Sequence, residues 1–322
     1  MKRLILLLFF IPAVLTSQNY IDLFKIAYSQ NFNNEFEDTQ STTDIHSIDV
    51  DLTIPFVIND DNAIVTGVLY SQNNLSLAPG FHGDEAPFYG LLSEKTTLYN
   101  TILKLGLATN FNEKWSGTFV VLPKLASDYQ DISGEDFYVG GAAILKFQKN
   151  ENLKYRFGVY AMQQAFGLFT TPLLGFYYLS PDEKLEMNVM LPISVNVNYR
   201  LGDTRKVGFD YYAIGRSFDI HMENGLYRYV DYVALEFTGY VEQGFMDNSI
   251  LLRLKGGYVA NSAEVYAKDD QIDFRVSAFD FGDERTQLSP DLSDSLFAKL
   301  EAVYRFDLSK QESMNNDNES GL

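Results

Sequence analysis

The sequence predicts an all-β protein, a single antiparallel up-and-down transmembrane β-barrel of about 14 strands, within a range of about 12 to 16. Three observations support this prediction. Apolar and polar residues alternate with a period of two through most of the chain. Charged residues recur at mid-strand on the polar face, where a soluble barrel would pack its core. No internal window reaches the roughly 18 consecutive apolar residues that a spanning helix needs.

Composition supports the same class. The chain has 322 residues, of which 46% are hydrophobic and 15% aromatic, with 21 Tyr and 25 Phe. Its mean hydropathy is only -0.13. A membrane protein of such moderate hydropathy is expected to be a barrel, because an alternating strand turns only half of its residues towards lipid.

The clearest strands lie between residues 184 and 212. Leu185, Met187 and Val189 alternate with polar residues, and the alternation resumes after Pro192. Gly202 then begins a turn into a third alternating run. We interpret 191–193 as a tight hairpin. If Pro192 instead marks a bulge within one strand, the count falls to about 12.

The other strands are predicted from the same alternation. In chain order, the predicted strands are 20–32, 44–56, 63–72, 97–110, 115–125, 137–147, 153–163, 172–179, 185–191, 194–201, 206–216, 227–240, 249–260 and 295–308.

The connections fall into two kinds. Short ones are predicted at 58–62, 111–114, 149–152, 180–184, 202–205 and 242–248, and those between them are mostly long and acidic. Short periplasmic turns alternating with longer external loops are typical of outer-membrane barrels. The longest connection, 261–294, is a candidate for a constriction that folds inward, and a hairpin at 272–281 within it would raise the strand count.

The ends of the chain differ from the barrel. Lys2 and Arg3 precede an apolar run over 4–15, which predicts a signal peptide over 1–17 cleaved near Ser17. An uncleaved anchor is the alternative. The barrel is predicted over 18–308, followed by a disordered polar tail over 309–322. The chain has no cysteine and therefore no disulfide or thiolate metal site.

Alternation also assigns the two faces of each strand. The lipid side is predicted to carry Leu103, Leu105, Val139, Leu145, Phe157, Val159, Val189, Val197, Leu235, Leu252, Leu254, Leu300 and Ala302. The candidate lumen-lining residues are Asp49, Asp51, Lys104, Lys146, Arg156, Glu186, Arg200, Asp210, Glu236, Arg253, Lys255, Lys299, Glu301 and Arg305. Lys25, Lys154, Arg216 and Asp307 are further candidates for ion pairs inside the barrel. Aromatic girdles are predicted from Phe56, Trp115, Phe137, Phe147, Tyr155, Tyr177, Tyr199 and Phe306.

Short motifs carry a resemblance to a known family. The segments 172–175, 180–184, 191–192 and 197–201, together with the N-terminal export signal, resemble a family of outer-membrane β-barrel proteins of Bacteroidota whose function is unknown. The resemblance implies the fold and an outer-membrane location and brings no catalytic residues. One departure is that Phe306 is followed by a polar tail, whereas many outer-membrane barrels end on an aromatic residue.

Enzymatic activity, cofactors and metals are not predicted. The chain has three His, and His46 shares the parity of apolar Ile48, while His82 and His221 fall in predicted loops. A hydrolase needs His beside Ser or Asp in a fixed arrangement. The formal net charge of -18 disfavours nucleic-acid binding. The acidic loops either gather divalent cations that bridge lipopolysaccharide or are simply soluble loops.

These features predict a passive porin-like channel for small solutes in the outer membrane. The alternatives are a closed structural or surface-binding barrel and a transporter of hydrophobic compounds. The expected partners are outer-membrane lipid and lipopolysaccharide and the barrel-assembly machinery.

Overall fold

A computed structural model describes residues 20–37, 41–77, 95–221 and 227–307. The predicted signal peptide, the polar tail, His82 and most of the 77–94 connection lie outside the described residues. No described helix is long and apolar enough to cross a membrane. Within these ranges the protein is almost entirely strand, with one 3-10 turn at Gly134–Asp136.

The described strands follow the alternating segments of the sequence. Their bounds are β1 Tyr20–Glu35, β2 Thr42–Val57, β3 Asn62–Ser76, β4 Lys95–Asn110, β5 Trp115–Ser127, β6 Phe137–Gln148, β7 Leu153–Gln164, β8 Gly167–Leu179, β9 Leu185–Leu191, β10 Ser194–Arg200, β11 Arg205–His221, β12 Tyr227–Phe245, β13 Ile250–Ala267, β14 Phe274–Val276, β15 Phe279–Phe281 and β16 Ser295–Asp307.

The wall is a closed barrel of 14 antiparallel strands. Strands β1 to β13 pair in sequence order, β16 pairs with β13, and β16 closes the barrel by pairing with β1. The remaining two strands, β14 and β15, form a hairpin whose first strand runs parallel to β8. The predicted barrel and its strand number are confirmed, and the hairpin predicted at 272–281 is present without adding to the wall.

The two ends of the barrel differ in their connections. At one end, here called the short-turn end, the connections are 58–61, 111–114, 149–152, 180–184, 201–204 and 246–249. At the other, the long-loop end, the connection from β13 to β16 spans 268–294. The tight hairpin predicted at 191–193 is confirmed, because β9 ends at Leu191 and β10 begins at Ser194. This hairpin is an exception at the long-loop end.

Strand β8 begins five residues before its predicted start at Pro172. The prediction treated proline as the first residue of the strand. However, β9 reaches only to the level of Leu174, and β14 pairs only with residues up to Thr170. Pro172 therefore lies on a stretch of β8 that has a strand on one side only. Proline is tolerated there because its missing N–H interrupts no ladder on that side.

Strands β11 and β13 run further than predicted, to His221 and Ala267. The end of β11 shows the reason. Ser217, Phe218, Asp219 and Ile220 are all buried, so successive residues are covered on both faces. A strand covered on both faces does not alternate between apolar and polar residues, and periodicity alone misses it.

The outward faces form an exposed apolar belt around the wall. Leu103, Leu105, Val139, Leu145, Phe157, Val159, Leu252, Leu254 and Leu300 are all exposed, as the alternation predicted. Val189 is buried, although its parity with exposed Leu191 places it on the outer face. This exposed apolar belt forms the outer surface of the barrel wall.

Candidate functional site

The interior of the barrel has two regions of opposite character. The apolar half lies at the long-loop end and consists of Phe36, Ile45, Leu75, Leu77, Leu98, Ala126, Ile214, Phe218, Ile220, Val230, Tyr232, Ala234, Val259, Ala263, Val265, Leu292 and Phe297. The charged half lies towards the short-turn end. Its ion pairs are Asp22–Arg305, Asp49–Arg216, Asp51–Lys104, Glu186–Lys206, Asp210–Lys255, Glu236–Lys299 and those of Arg253 with Glu242 and Glu301.

The apolar half is closed by the end of β11. Asp219 forms a parallel bridge with Ser127 of β5, a strand that is not a neighbour of β11 in the wall. The Asp128 N–H donates to the Asp219 carbonyl at 3.0 Å. The Ala165 N–H, from the connection between β7 and β8, donates to Ser217 Oγ at 2.7 Å. The long-loop end of β11 therefore reaches across the barrel and joins two distant parts of its wall.

Sequence reasoning did not anticipate this apolar interior. It assigned the inward face of the strands to a hydrated or salt-bridged lumen. At the long-loop end that assignment is wrong, since Phe218 and Val230 have no exposed surface and belong to one apolar cluster with residues of β2 to β5 and with Phe36, which follows β1. Leu292 of the 268–294 connection joins the same cluster. Part of that connection thus helps to fill the barrel.

The charged half is a network of interlocking pairs. Arg253 donates from Nε to Glu242 at 2.6 Å and from a terminal nitrogen to Glu301 at 2.7 Å. Lys255 lies 2.6 Å from Asp210 and 3.4 Å from the second oxygen of Glu301. Each charge in this set of pairs is thereby matched by at least one opposite charge, which is the condition under which buried ions are tolerated.

In the charged half, two further contacts cross the interior. Arg216 of β11 lies 3.2 Å from Asp49 of β2. The Tyr20 hydroxyl of β1 donates to Glu186 Oε1 of β9 at 2.5 Å. In both cases at least four wall strands separate the partners, so each contact spans the barrel rather than linking neighbouring strands.

Most candidate lumen-lining residues come together in these pairs. Asp49, Asp51, Lys104, Glu186, Asp210, Glu236, Arg253, Lys255, Lys299, Glu301 and Arg305 belong to the charged half. Lys146 and Arg156 face each other across β6 and β7, and Arg156 donates to Asn188 Oδ1 at 2.7 Å. Arg200 lies apart at the rim of the short-turn end, 3.6 Å from Glu183, with 41% of its side chain exposed.

Sequence reasoning missed two carboxylates of the network. Asp22 has the parity of lipid-facing Phe24, yet it pairs with Arg305 because a register shift between Asp22 and Phe24 reverses the side on which it points. Glu242 was assigned to a turn, whereas β12 continues to Phe245. A bulge is not visible in the alternation alone, but a continued alternation through Val241 could have located Glu242.

The hairpin of β14 and β15 is held by two arginines around one carboxylate. Asp231 accepts hydrogen bonds from Arg275 at 2.8 Å and from Arg285 at 3.1 Å. The Arg275 guanidinium lies 4.2 Å from the Phe166 ring centroid, and the Arg285 guanidinium lies 4.1 Å from that of Tyr266. These five residues, here called the arginine clasp, fasten the 268–294 connection to the wall.

Charges in the connection itself reinforce the clasp. Arg285 also bonds to Asp283 at 2.9 Å, and this hydrogen bond lowers the pKa of the Asp283 carboxyl below its usual value. Burial alone would lower the pKa of Arg285, but its bonds to Asp283, Tyr229 and Asp231 outweigh burial and raise it. The pKa of Arg275 is raised in the same way by Asp280 and Asp231, so both arginines of the clasp stay charged near neutral pH.

The described histidines have structural partners. His46 Nδ1 lies 3.0 Å from the Tyr28 hydroxyl on the outer face. His221 Nδ1 lies 3.0 Å from Asp128 Oδ1, and the other Asp128 oxygen accepts from the His221 N–H. His221 was predicted in a loop but ends β11, and its pair with Asp128 strengthens the junction of β11 and β5. Among the described residues, no group of three or more His, Asp or Glu is arranged to hold a metal ion.

The prediction that Tyr177 belongs to an aromatic girdle is wrong. Tyr177 is only 4% exposed and donates to Glu186 at 3.3 Å inside the barrel. Trp115 and Phe147 do lie together near the short-turn end, with ring centroids 5.0 Å apart. Tyr177 shares its strand end with aromatic neighbours, so position along the strand could not reveal its direction.

Several solved structures are similar to this chain. They include an outer membrane channel from Pseudomonas putida F1, with 9% identity and a TM-score of 0.41, covering 88% of this chain and 94% of that one. The P. putida toluene transporter TodX is 9% identical, with a TM-score of 0.37 and coverage of 88% and 89%. OmpT, an outer membrane protein of Vibrio cholerae, is 11% identical, with a TM-score of 0.27 and coverage of 89% and 99%.

No curated protein sequence matches the chain. A family model does match it, over residues 14–273, which is most of its length. The chain therefore belongs to the family described as Domain of unknown function (DUF6268).

Proposed function

We propose that the protein is an outer-membrane β-barrel with a closed interior, which serves as a structural or surface-binding barrel without catalytic activity. The observation that carries this proposal is the Arg216–Asp49 pair, which spans the interior at 3.2 Å. Beyond it, the β11–β5 bridge and the apolar half fill the long-loop end. A solute entering from either end meets one of these barriers.

The exposed apolar belt supports the membrane location. Aliphatic and aromatic side chains are exposed on the outer face of strands around the whole wall. Such a belt is unfavourable in water, because exposed apolar area costs about 25 cal/mol per Å². Lipid removes this cost. The export signal over 1–17 and an origin in Bacteroidota remain predictions of the sequence, as do lipopolysaccharide, the assembly machinery and divalent cations as partners.

Burial of the charged half supports the closed state. Glu186, Glu242 and Glu301 are each 5% exposed, although they face the inside of a wide barrel. About eight strands already give an interior that side chains can fill, and 16 to 18 leave an aqueous channel. With 14 strands, this barrel needs long, paired side chains to reach across, and it has them.

Single-channel recording tests the proposal. Protein refolded in detergent and checked for the folded form by heat-modifiable gel mobility is inserted into planar bilayers, with an open porin as the positive control. We expect no steady current. Sustained conductance from the folded protein would overturn the proposal.

The predicted passive channel for small solutes is the second candidate. One observation favours it: Tyr212 is 43% exposed although its register partner Glu236 lies inside the barrel. The interior thus retains some open space between its two halves. In the same recordings, a channel of this kind would give a steady current in the wild-type protein. Transport of hydrophobic compounds, the third prediction, would require the packed apolar half to separate.

A further inference from the structure

We propose that Lys146, Lys154 and Arg156 form a binding site for a small free oxyanion, of which inorganic phosphate is representative, at the short-turn end of the barrel interior. Nothing in the closed-barrel proposal requires this site. These three cations share one inner surface of an otherwise acidic protein of net charge -18.

The register of β6 and β7 brings the cations together. Lys146 lies directly opposite Arg156, and Lys154 is opposite Gln148 two positions along the same face. Directly opposed residues on one face have Cβ atoms about 4.5 to 5.5 Å apart, and like charges in that arrangement are destabilising. Strands β6 and β7 therefore hold three positively charged side chains close together, where they repel one another.

Lys146 has no compensating charge among the residues that the structure describes. It makes no hydrogen bond or ion pair with any residue in the described ranges, although its side chain is partly buried. The charged groups that act on it are Arg156 and Lys154, both of which repel it. An unpaired cation in such a place is costly, and a bound anion would remove the cost.

Glu186, which accepts a hydrogen bond from Tyr177 beside Arg156, is already paired. Glu186 accepts a hydrogen bond from the Lys206 ammonium at 3.0 Å, and it also accepts hydrogen bonds from the Tyr20 hydroxyl and the Asn198 side chain. Four other inner lysines, Lys104, Lys206, Lys255 and Lys299, are each paired with a carboxylate. Lys146 thus differs from these four lysines in lacking an acidic partner, and a ligand can supply one.

The donor set suits an oxyanion. Arg156 is oriented by its bond to Asn188 and lies 5.9 Å from the Tyr177 ring centroid, so its guanidinium is held in place. A planar guanidinium matches oxyanion geometry, and lysine adds mobile point charges. Because these side chains lie on the inner face, the ligand is a free anion rather than a lipid headgroup. Lys146 and Lys154 flank the 149–152 turn, so the anion reaches them from the short-turn end.

Equilibrium dialysis with radiolabelled phosphate tests the site on the folded, detergent-solubilised protein at constant ionic strength in chloride. We expect wild type to bind one phosphate per chain. Lys146→Met should weaken binding by about tenfold or more, as loss of a charged hydrogen bond implies. Lys149→Met, an exposed lysine in the adjacent turn, is the matched control and should bind as wild type does.

Thermal unfolding gives a second measurement. Phosphate should raise the unfolding temperature of wild type and of Lys149→Met more than chloride does, but not that of Lys146→Met. In chloride alone, Lys146→Met should be at least as stable as wild type, because an unpaired cation has been removed. If Lys146→Met does not fold, Lys154→Gln replaces it in both measurements. We expect Lys154→Gln to weaken phosphate binding by a smaller factor than Lys146→Met. The proposal is overturned if wild type binds no phosphate or if Lys149→Met loses as much affinity as Lys146→Met.

Discussion

The two halves of the barrel interior are built from the same strands yet held by different forces. In the apolar half, Phe218 of β11 and Val230 of β12 are completely buried against side chains from the opposite wall. In the charged half, Asp210 and Glu236 of the same two strands pair with lysines. Alternation therefore identifies which face of a strand points inward, but it does not show whether that face contacts apolar or charged side chains.

Strand length explains the difference. Strands β11, β12 and β13 contain 17, 19 and 18 residues, whereas β9 and β10 contain seven each. The long strands extend past the short hairpin, and the end of β11 crosses to β5. There the opposite walls come close enough for apolar side chains to meet. Towards the short-turn end the interior is instead spanned by long polar side chains, in the Arg216–Asp49 and Tyr20–Glu186 contacts.

The largest expected effect tests the packing of the apolar half. Phe218→Ala should lower the free energy of unfolding by about 3 to 5 kcal/mol, because it leaves a cavity in a fully packed cluster. Urea titration of the refolded barrel measures this. Phe209→Ala, on the exposed outer face of the same strand, is the control and should cost less. Equal losses for the two variants would show that the apolar half is not tightly packed.

The next effect sharpens the contrast with the charged half. Glu301→Gln keeps the shape of the side chain but removes the charge shared by Arg253 and Lys255. We expect a loss of about 1.5 to 3 kcal/mol in the free energy of unfolding, the range for hydrogen bonds to charged groups. Glu113→Gln, in the exposed 111–114 turn, should be neutral. A neutral Glu301→Gln would mean that the network adds nothing to stability.

A smaller effect concerns acid and the arginine clasp. The pKa of Asp283 is lowered by its hydrogen bond to Arg285, so its contribution is present above the ordinary value of 3.8 and is lost as the pH falls below it. Amide exchange within 268–294, corrected for intrinsic rates, should therefore accelerate only under these acidic conditions. Asp283→Asn should remove part of this acceleration. Acceleration already at neutral pH would contradict the assignment.

The smallest effect is expected at the rim. Arg200 and Glu183 are separated by 3.6 Å, and their side chains are 41% and 61% exposed. Arg200→Gln should change the free energy of unfolding by no more than about 1 kcal/mol, since water and salt screen exposed pairs. Urea titration in low and high salt measures it. A loss as large as that of Glu301→Gln would place Arg200 within the interior network.

The sequence alone determined the fold class, the strand number and the direction of most side chains. A period of two is a local property, and it assigns faces wherever one side of a strand meets lipid and the other does not. It succeeded for Leu103 and Lys104, which point to opposite sides of β4. It also located the turn at Pro192.

Only the tertiary structure decided how the interior is filled. The bulge that turns Asp22 inward, the crossing of β11 to β5 and the pairing of Arg216 with Asp49 each join residues far apart in the chain. Such contacts depend on barrel closure, on the stagger of the strands and on the lengths at which neighbours stop. None of these quantities is encoded in the local alternation of any one strand. The sequence could therefore show that the inner face exists, but not whether it encloses water, ion pairs or a packed core.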